Sequence, residues 1–341
     1  MTEKTDFLPL GKMSPQFLGE MIKKYTTGDD SIIIGPKVGV DAAVINFGDQ
    51  YLIAKTDPIT FVTDDIGYYA ININANDIAC MGGVPKWFLG TLLLPEAATT
   101  QEMVEDIFSQ VNQVCCQLKI SFCGGHTEVT YGINRPILIG QMLGEVKKDL
   151  LIKNENAQPG DDILLTKGIA IEATSIIARE KEEKLTEIYS ADLVEKCKNF
   201  IYQPGISILR EAQIAVKTGG VKAMHDPTEG GLAMGLHELA NAAGCGMKIF
   251  EKEIPKIPEA KLLCDQYDIN IFGVIASGAL LIVTERKSSH KIIESLKEKN
   301  ILAKKIGKIM EPGYGIKLIS EHDEIDFPEF YQDEITKLFG E

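Results

Sequence analysis

The stretch KKDLLIKNENAQPGDD, residues 147–162, decides how the chain is divided. It is polar, contains Pro159-Gly160, and separates two regions that each carry their own strand and helix signals. Before it, runs of branched and large apolar residues predict strands at 42–45, 51–55, 88–94 and 137–143, with a helix between the second and third. Met103, Ile107, Val111, Val114 and Leu118 recur at helical spacing, which predicts a helix over 100–118 with Thr99 and Glu102 at its cap. After it, DILLTK restarts with a strand. Helices are expected near 172–182, 207–217, 227–243 and 289–299, and an apolar strand at 278–283. This mixture predicts an α+β protein of two domains, 1–150 and 151–323, followed by an acidic C-terminal helix or tail at 324–341.

Composition narrows the function. The 35 lysines and arginines against 49 acids give a net charge of -14, which repels nucleic acid and anionic lipid, so neither is an expected partner. The same charge repels ATP, and a nucleotide site here needs a metal cation or converging backbone amides. The seven cysteines form no C-x-x-C pair, the opening MTEKTDFLPLGKM has no long apolar segment, and the apolar run 271–283 is too short to span a bilayer. A cytoplasmic protein is expected.

Three acids stand beside element ends: Asp41 in GVDAAVI, Asp57 in LIAKTDPIT and Asp77 in NANDIACMGG. Oxygen ligands from separate elements suit magnesium under a phosphate chain. Asp57 before Pro58 also suits a turn, and Asp41 a loop cap. Asp77 has no such ordinary role, because an acid near the C-terminal end of a helix opposes the helix dipole, so a metal or nucleotide contact is expected to compensate it. In SFCGGHTEVT, Gly124-Gly125 suits either amides presented to phosphate or a hairpin turn, and His126 and Glu128 share one side if the segment is extended. In MHDPTEGGL, Asp226 reads as an N-cap, Pro227 as the first helical residue and Glu229 as the capping partner; this leaves His225 and Gly230-Gly231 unexplained, and a ligand close to the helix start would account for the glycines.

In order along the chain, GVDAAVI, KTDPIT, NANDIACMGGVP, FCGGHTEVT, PGDDILLTK, HDPTEGGL and SGALLIV resemble the aminoimidazole ribonucleotide (AIR) synthase-related superfamily, nearest its HypE-type hydrogenase maturation proteins. The resemblance implies an AIR synthase-like fold and a homodimer whose N-terminal mixed sheets form a shared barrel-like core. It implies ATP and Mg2+ as cofactors. Asp41, Asp57, Asp77 and Glu128 become the metal ligands, Thr56, Asn76, Gly124, Gly125, Thr127, Thr228, Gly230 and Gly231 the nucleotide contacts, and Lys55, His126, His225 and Asp226 the catalytic candidates. Relatives often carry an acid where this chain has His126, and HypE proteins carry a carbamoyl-accepting cysteine at the end of their tail where this chain has Lys337 to Glu341. The expected activity is therefore the broader one, ATP-dependent phosphorylation of an amide or carbonyl oxygen on an unassigned acceptor. The alternative is a noncatalytic assembly protein acting with a maturation partner.

Overall fold

Two sheets, each built from one half of the chain, flank a single buried helix. The computed structural model describes residues 8, 13–37, 39–60, 62–330 and 332–339; most of the opening segment, and Gly340 and Glu341, lie outside the described residues.

The first half contains α1 (Pro15–Tyr25), β1 (Ile32–Ile34), β2 (Ala43–Phe47), β3 (Gln50–Ile59), α2 (Ile66–Cys80), β4 (Val84–Pro95), α3 (Gln101–Leu118), β5 (Ser121–Thr130) and β6 (Ile137–Lys147). Its sheet runs β1-β2-β3-β6-β4-β5. Only the β4–β5 pair is parallel, joined through α3 as a crossover of this length requires. One face, with Val44, Ile53, Phe88, Leu92, Leu138 and Met142, is fully buried against the helices. The other face is half-exposed although apolar at Trp87, Leu89, Leu93, Ile139 and Leu143, so in the single chain this sheet is open.

The second half contains β7 (Asp162–Thr166), α4 (Ile171–Glu180), α5 (Glu182–Ile188), α6 (Ala191–Lys198), α7 (Leu209–Thr218), β8 (Val221–His225), α8 (Gly231–Ala243), β9 (Gly246–Phe250), α9 (Pro258–Gln266), β10 (Leu281–Thr284), α10 (Arg286–Lys297), β11 (Ala303–Met310), β12 (Ile316–Ile319) and β13 (Glu324–Asp326). Its sheet runs β13-β12-β9-β11-β7-β10-β8. β7 and β10 are buried at every residue, which explains the consecutive apolar residues Ile163 to Leu165 and Leu281 to Val283 at their centres.

The helix α2 joins the halves. It is apolar around most of its circumference, and such a helix must be covered on all sides. It packs on β3, β6 and α3 of the first half and on α7 and β8 of the second. Asn76, fully buried, spends its side chain on this junction: its Nδ2 donates to Ile206 O and its Oδ1 accepts from Ile208 N, both at 2.9 Å.

Three expectations are corrected. Thr100, not Thr99, caps α3, accepting from Met103 N at 3.1 Å, while Thr99 donates back to Pro95 O. The residues around Gly124-Gly125 form no hairpin; they run straight through β5 beside β4. The helix expected from Pro227 begins at Gly231, because Gly230 and Gly231 take φ of +76° and +63°, and Asp226 is not its cap. The segment expected as an acidic helix or tail contains the edge strand β13 and a 3-10 turn at Glu334–Phe339.

Asp333 anchors that tail. Its carboxylate accepts from Gly230 N at 2.6 Å, Ile335 N at 2.8 Å and Ile275 N at 3.3 Å. Asp333→Ala leaves these amides without their acceptor and is expected to destabilise the protein by about 2 kcal/mol or more. Faster amide exchange at Gly230 and Ile275 would accompany the drop in unfolding midpoint; protection unchanged at both amides would contradict it.

Candidate functional site

Alternation along β3 turns Ile53, Lys55, Asp57 and Ile59 toward α2, placing one lysine and one acid on the same face as two core residues. Lys55 Nζ lies 3.2 Å from Asp57 Oδ2 and 3.2 Å from Asp77 Oδ2 on α2. The compensation that Asp77 needs near its helix end thus comes from within the chain. Burial works against the Lys55 ammonium, but the charges of Asp77, Asp57 and Asp41 outweigh it and hold its pKa above the ordinary lysine value. Asp77 is pushed well above the carboxylate range by burial, with Lys55 partly offsetting this and Asp226 adding to it.

Asn74, which the sequence did not single out, fixes Asp57. Its Oδ1 accepts from Asp57 N at 2.9 Å, and its Nδ2 donates to Ala70 O at 2.9 Å and to Asp57 O at 3.3 Å. The approach requires Gly140 on the neighbouring strand, where a Cβ would stand 2.4 Å from Asn74 Nδ2. Thr56 points away from this face and donates to Gly140 O at 2.8 Å.

β8 delivers the second half of the site. His225, its last residue, has Nδ1 3.1 Å from Asp41 Oδ1 and Nε2 3.0 Å from Glu238 Oε2 on α8. Burial disfavours the imidazolium, but Asp41 and Glu238 outweigh it and raise the His225 pKa well above its usual value. Asp226 accepts the Cys80 thiol at 3.3 Å and is pushed up to about 7 by burial, with Asp41 adding to the effect. Glu238 and Cys80 are further members that the sequence reading left out; a helical i, i+3 or i, i+4 rule could not find them, since their partners lie on other elements.

The cluster is acidic: Asp41, Asp57, Asp77, Asp226 and Glu238 gather around Lys55 and His225. Asp41 Oδ2 is buried without a hydrogen-bond partner among the described residues, and Asp77 Oδ2 faces the Lys55 ammonium at 3.2 Å. Hard oxygen donors with unbalanced charge fit a divalent cation such as magnesium. Asp57, 37% exposed, stands at the open side.

The glycine-rich strand lies apart from this cluster. Asp57, Gly140, Gly90 and Gly125 form one cross-strand row, so three strand spacings, about 14 Å, separate Asp57 from Gly125. Gly124 precedes it and His126, Thr127 and Glu128 follow it along the exposed β5, where His126 Nε2 and Glu128 Oε2 pair at 3.1 Å. At the α8 start, Thr228 O accepts from Gly231 N and Ala276 N, and Gly230 N is taken by Asp333. A Cβ on Gly231 would stand 2.4 Å from Val274 O, so close packing alone demands that glycine.

Among the described residues no helix is long and apolar enough to cross a membrane. Comparison with known proteins gives the family. The chain is 28% identical over 265 residues to a putative hydrogenase expression/formation protein of Methanocaldococcus jannaschii, covering 76% of this chain and 75% of that one. It is 26% identical over 325 residues to a selenide, water dikinase of Carboxydothermus hydrogenoformans, covering 87% and 92%. The crystal structure of hydrogenase maturation protein HypE in complex with ATP shares the fold, with a TM-score of 0.71 at 18% identity over 92% of this chain and 91% of that one. Residues 39–146 match the N-terminal domain and residues 158–318 the C-terminal domain of AIR synthase related proteins, and the chain belongs to that family.

Proposed function

We propose that the protein is a magnesium-dependent, ATP-using enzyme that phosphorylates an amide or carbonyl oxygen of an acceptor. The observation that carries this reading is the Lys55 ammonium held between Asp57 and Asp77 at the partly open side of a cluster rich in unbalanced carboxylate oxygens. Family membership supports it, as do relatives described as a dikinase and as a HypE protein complexed with ATP.

Asp57, with Asp41 and Asp77 behind it, would hold the magnesium, which when bound neutralises phosphate charge. Lys55 is placed to stabilise negative charge developing on a transferring phosphoryl group. His225, hydrogen-bonded on both ring nitrogens, is oriented by Asp41 and Glu238 and can hold a proton at Nδ1. His126, Thr127 and Glu128 stand too far from Asp57 to act with it in one chain and would serve a nucleotide only from a partner copy.

Such a partner fits the half-exposed apolar face of the first sheet and the outer edge of β5, which no other strand among the described residues pairs with. A homodimer is the proposed assembly. Leu89→Lys and Leu93→Lys on that face are expected to shift the protein to monomer in light scattering with little change in circular dichroism; a wild-type protein that is already monomeric would contradict it. The relative described as a hydrogenase expression/formation protein favours a second reading, action within a maturation assembly together with a partner protein.

Asp57→Ala is expected to weaken binding of ATP with magnesium at least about tenfold while leaving the fold intact, since its carboxylate is the most exposed of the set. Calorimetric titration measures this. Unchanged affinity in folded Asp57→Ala and Asp77→Ala would count against the site.

A further inference from the structure

We propose that the lysine-rich face formed by α10, β11 and the adjoining strands of the second sheet is a docking surface for a partner protein, and that it takes a segment of that partner carrying both acidic and apolar side chains. Residues 286–308 hold eight lysines and arginines against two acids, a local charge of +6 in a chain of net charge -14.

The fold gathers these charges on one side. Ser289, Ile292 and Leu296 are the buried residues of α10. A Cβ on Gly220, just before β8, would collide with Ser288 Oγ, so the Ser288 side of the helix faces β8. The opposite stripe, Arg286, His290 and Lys297 at helical spacing, therefore faces β11, which lies beyond β7 and β10 in the sheet. All three are exposed, and so is Lys291 on the outer side of the helix.

The sheet continues the pattern. Lys308 on β11 stands in register with Lys248 on β9, and Lys248 with Lys317 on β12, so three lysines form one cross-strand row. Like charges directly opposite one another destabilise a sheet. The acidic strand β13 offsets this at two of them: Glu324 Oε2 lies 3.4 Å from Lys248 Nζ, and Asp326 Oδ1 lies 2.7 Å from Lys317 Nζ. Lys308 is exposed and three strand spacings, about 14 Å, from β13. On its other side Asp162 is engaged by Lys305 and Ser289.

The chain thus fills the outer end of the row with its own acids, and the inner end, Lys308 beside the α10 stripe, is open to the same chemistry from outside. Phe250, Met310 and Ile319 each lie two residues beyond a lysine of the row, on the same face, and are half-buried. Apolar surface among lysines fits the side chains of a protein better than the phosphates of a nucleic acid, which the overall charge also repels.

None of these residues belongs to the cleft cluster, so the surface goes beyond the nucleotide reading and fails separately from it. The test titrates the labelled peptide DEELFDEELF into the full-length protein and follows fluorescence anisotropy. Saturable binding is expected, weakened by added salt. Reversing Lys291→Glu and Lys308→Glu together is expected to weaken it at least about tenfold, whereas reversing Lys23→Glu and Lys184→Glu, two exposed lysines elsewhere, changes it less than about twofold. The apolar-free peptide DEESGDEESG is expected to bind about tenfold more weakly than DEELFDEELF. Circular dichroism confirms the fold of each variant. No saturable binding, equal effects of the two double variants, equal affinity for the two peptides, or tighter binding of a single-stranded oligonucleotide of equal charge would each overturn the proposal. A change of oligomeric state in the Lys291→Glu and Lys308→Glu variant would also overturn it, by assigning the face to a second copy of this chain.

Discussion

Gly125→Ala is expected to destabilise the protein by about 3 kcal/mol or more, while Gly124→Ala, one residue away, is expected to cost less than about 1 kcal/mol. Gly125 has φ of +149°, and a Cβ there would stand 1.9 Å from Gly90 O on β4. That atom is backbone in the middle of a ladder and cannot swing aside. A Cβ on Gly124 would meet only Leu89 Cδ2, at 3.7 Å, an ordinary contact. The difference is read in the urea midpoints of the two variants. Equal midpoints would mean that β5 does not lie on β4 in this register and that the two glycines serve a turn or a ligand instead.

Without bound cations, the protein is expected to be more stable near pH 5 than near pH 8, and Glu172→Gln is expected to remove much of that slope. Glu172, at the start of α4, is buried, and its Oε2 has no hydrogen-bond partner. Burial pushes its pKa up to about 8 from an ordinary 4.5; the neighbouring Ser277 hydroxyl partly offsets this, while Glu229 and Asp333 add to it. A carboxyl whose folded pKa is raised holds a proton that the unfolded chain has already lost, so its contribution is complete below about 4.5 and lost as pH rises toward 8. The difference across that window is roughly 3 kcal/mol. Thermal unfolding of wild type and Glu172→Gln at both pH values measures it; parallel pH profiles would refute the assignment to Glu172.

Much of the architecture was legible because apolar spacing reports which side of an element is covered. The α3 periodicity and the strand signals in DILLTK and at 278–283 each identified an element that the structure contains. Helix starts were less legible. The Asp-Pro-x-Glu pattern at Asp226 to Glu229 satisfies a cap locally, yet the tertiary demand for Asp226 beside Cys80 and for glycine against Val274 moves the start to Gly231. Likewise Gly124-Gly125 carries the composition of a turn, and only the neighbouring Gly90 shows that one of the pair serves strand contact.

The site was legible in its acids and obscure in their partners. Asp77 announced itself by standing where local energetics do not want it, Asp41 and Asp57 by standing beside element ends, and all three act on Lys55. Their grouping differs from the expected one: Lys55 stands between Asp57 and Asp77, while Asp41 pairs with His225 and lies beside Asp226. Asn74 and Glu238 stayed hidden because an asparagine or glutamate inside a helix is unremarkable until the strand it touches is known. Asn76, by contrast, was named by the resemblance as a nucleotide contact, and its buried amide is consumed by the junction with the second half.

The central claim is that a surplus of carboxylate oxygens makes a strongly acidic chain receptive to ATP only together with a divalent cation. Calorimetric titration of ATP into the wild-type protein, with magnesium and then with the cation chelated, tests it most directly. Saturable binding with magnesium that weakens at least about tenfold on chelation is the expected result. Equal affinity in both conditions, or no binding in either, would contradict the account.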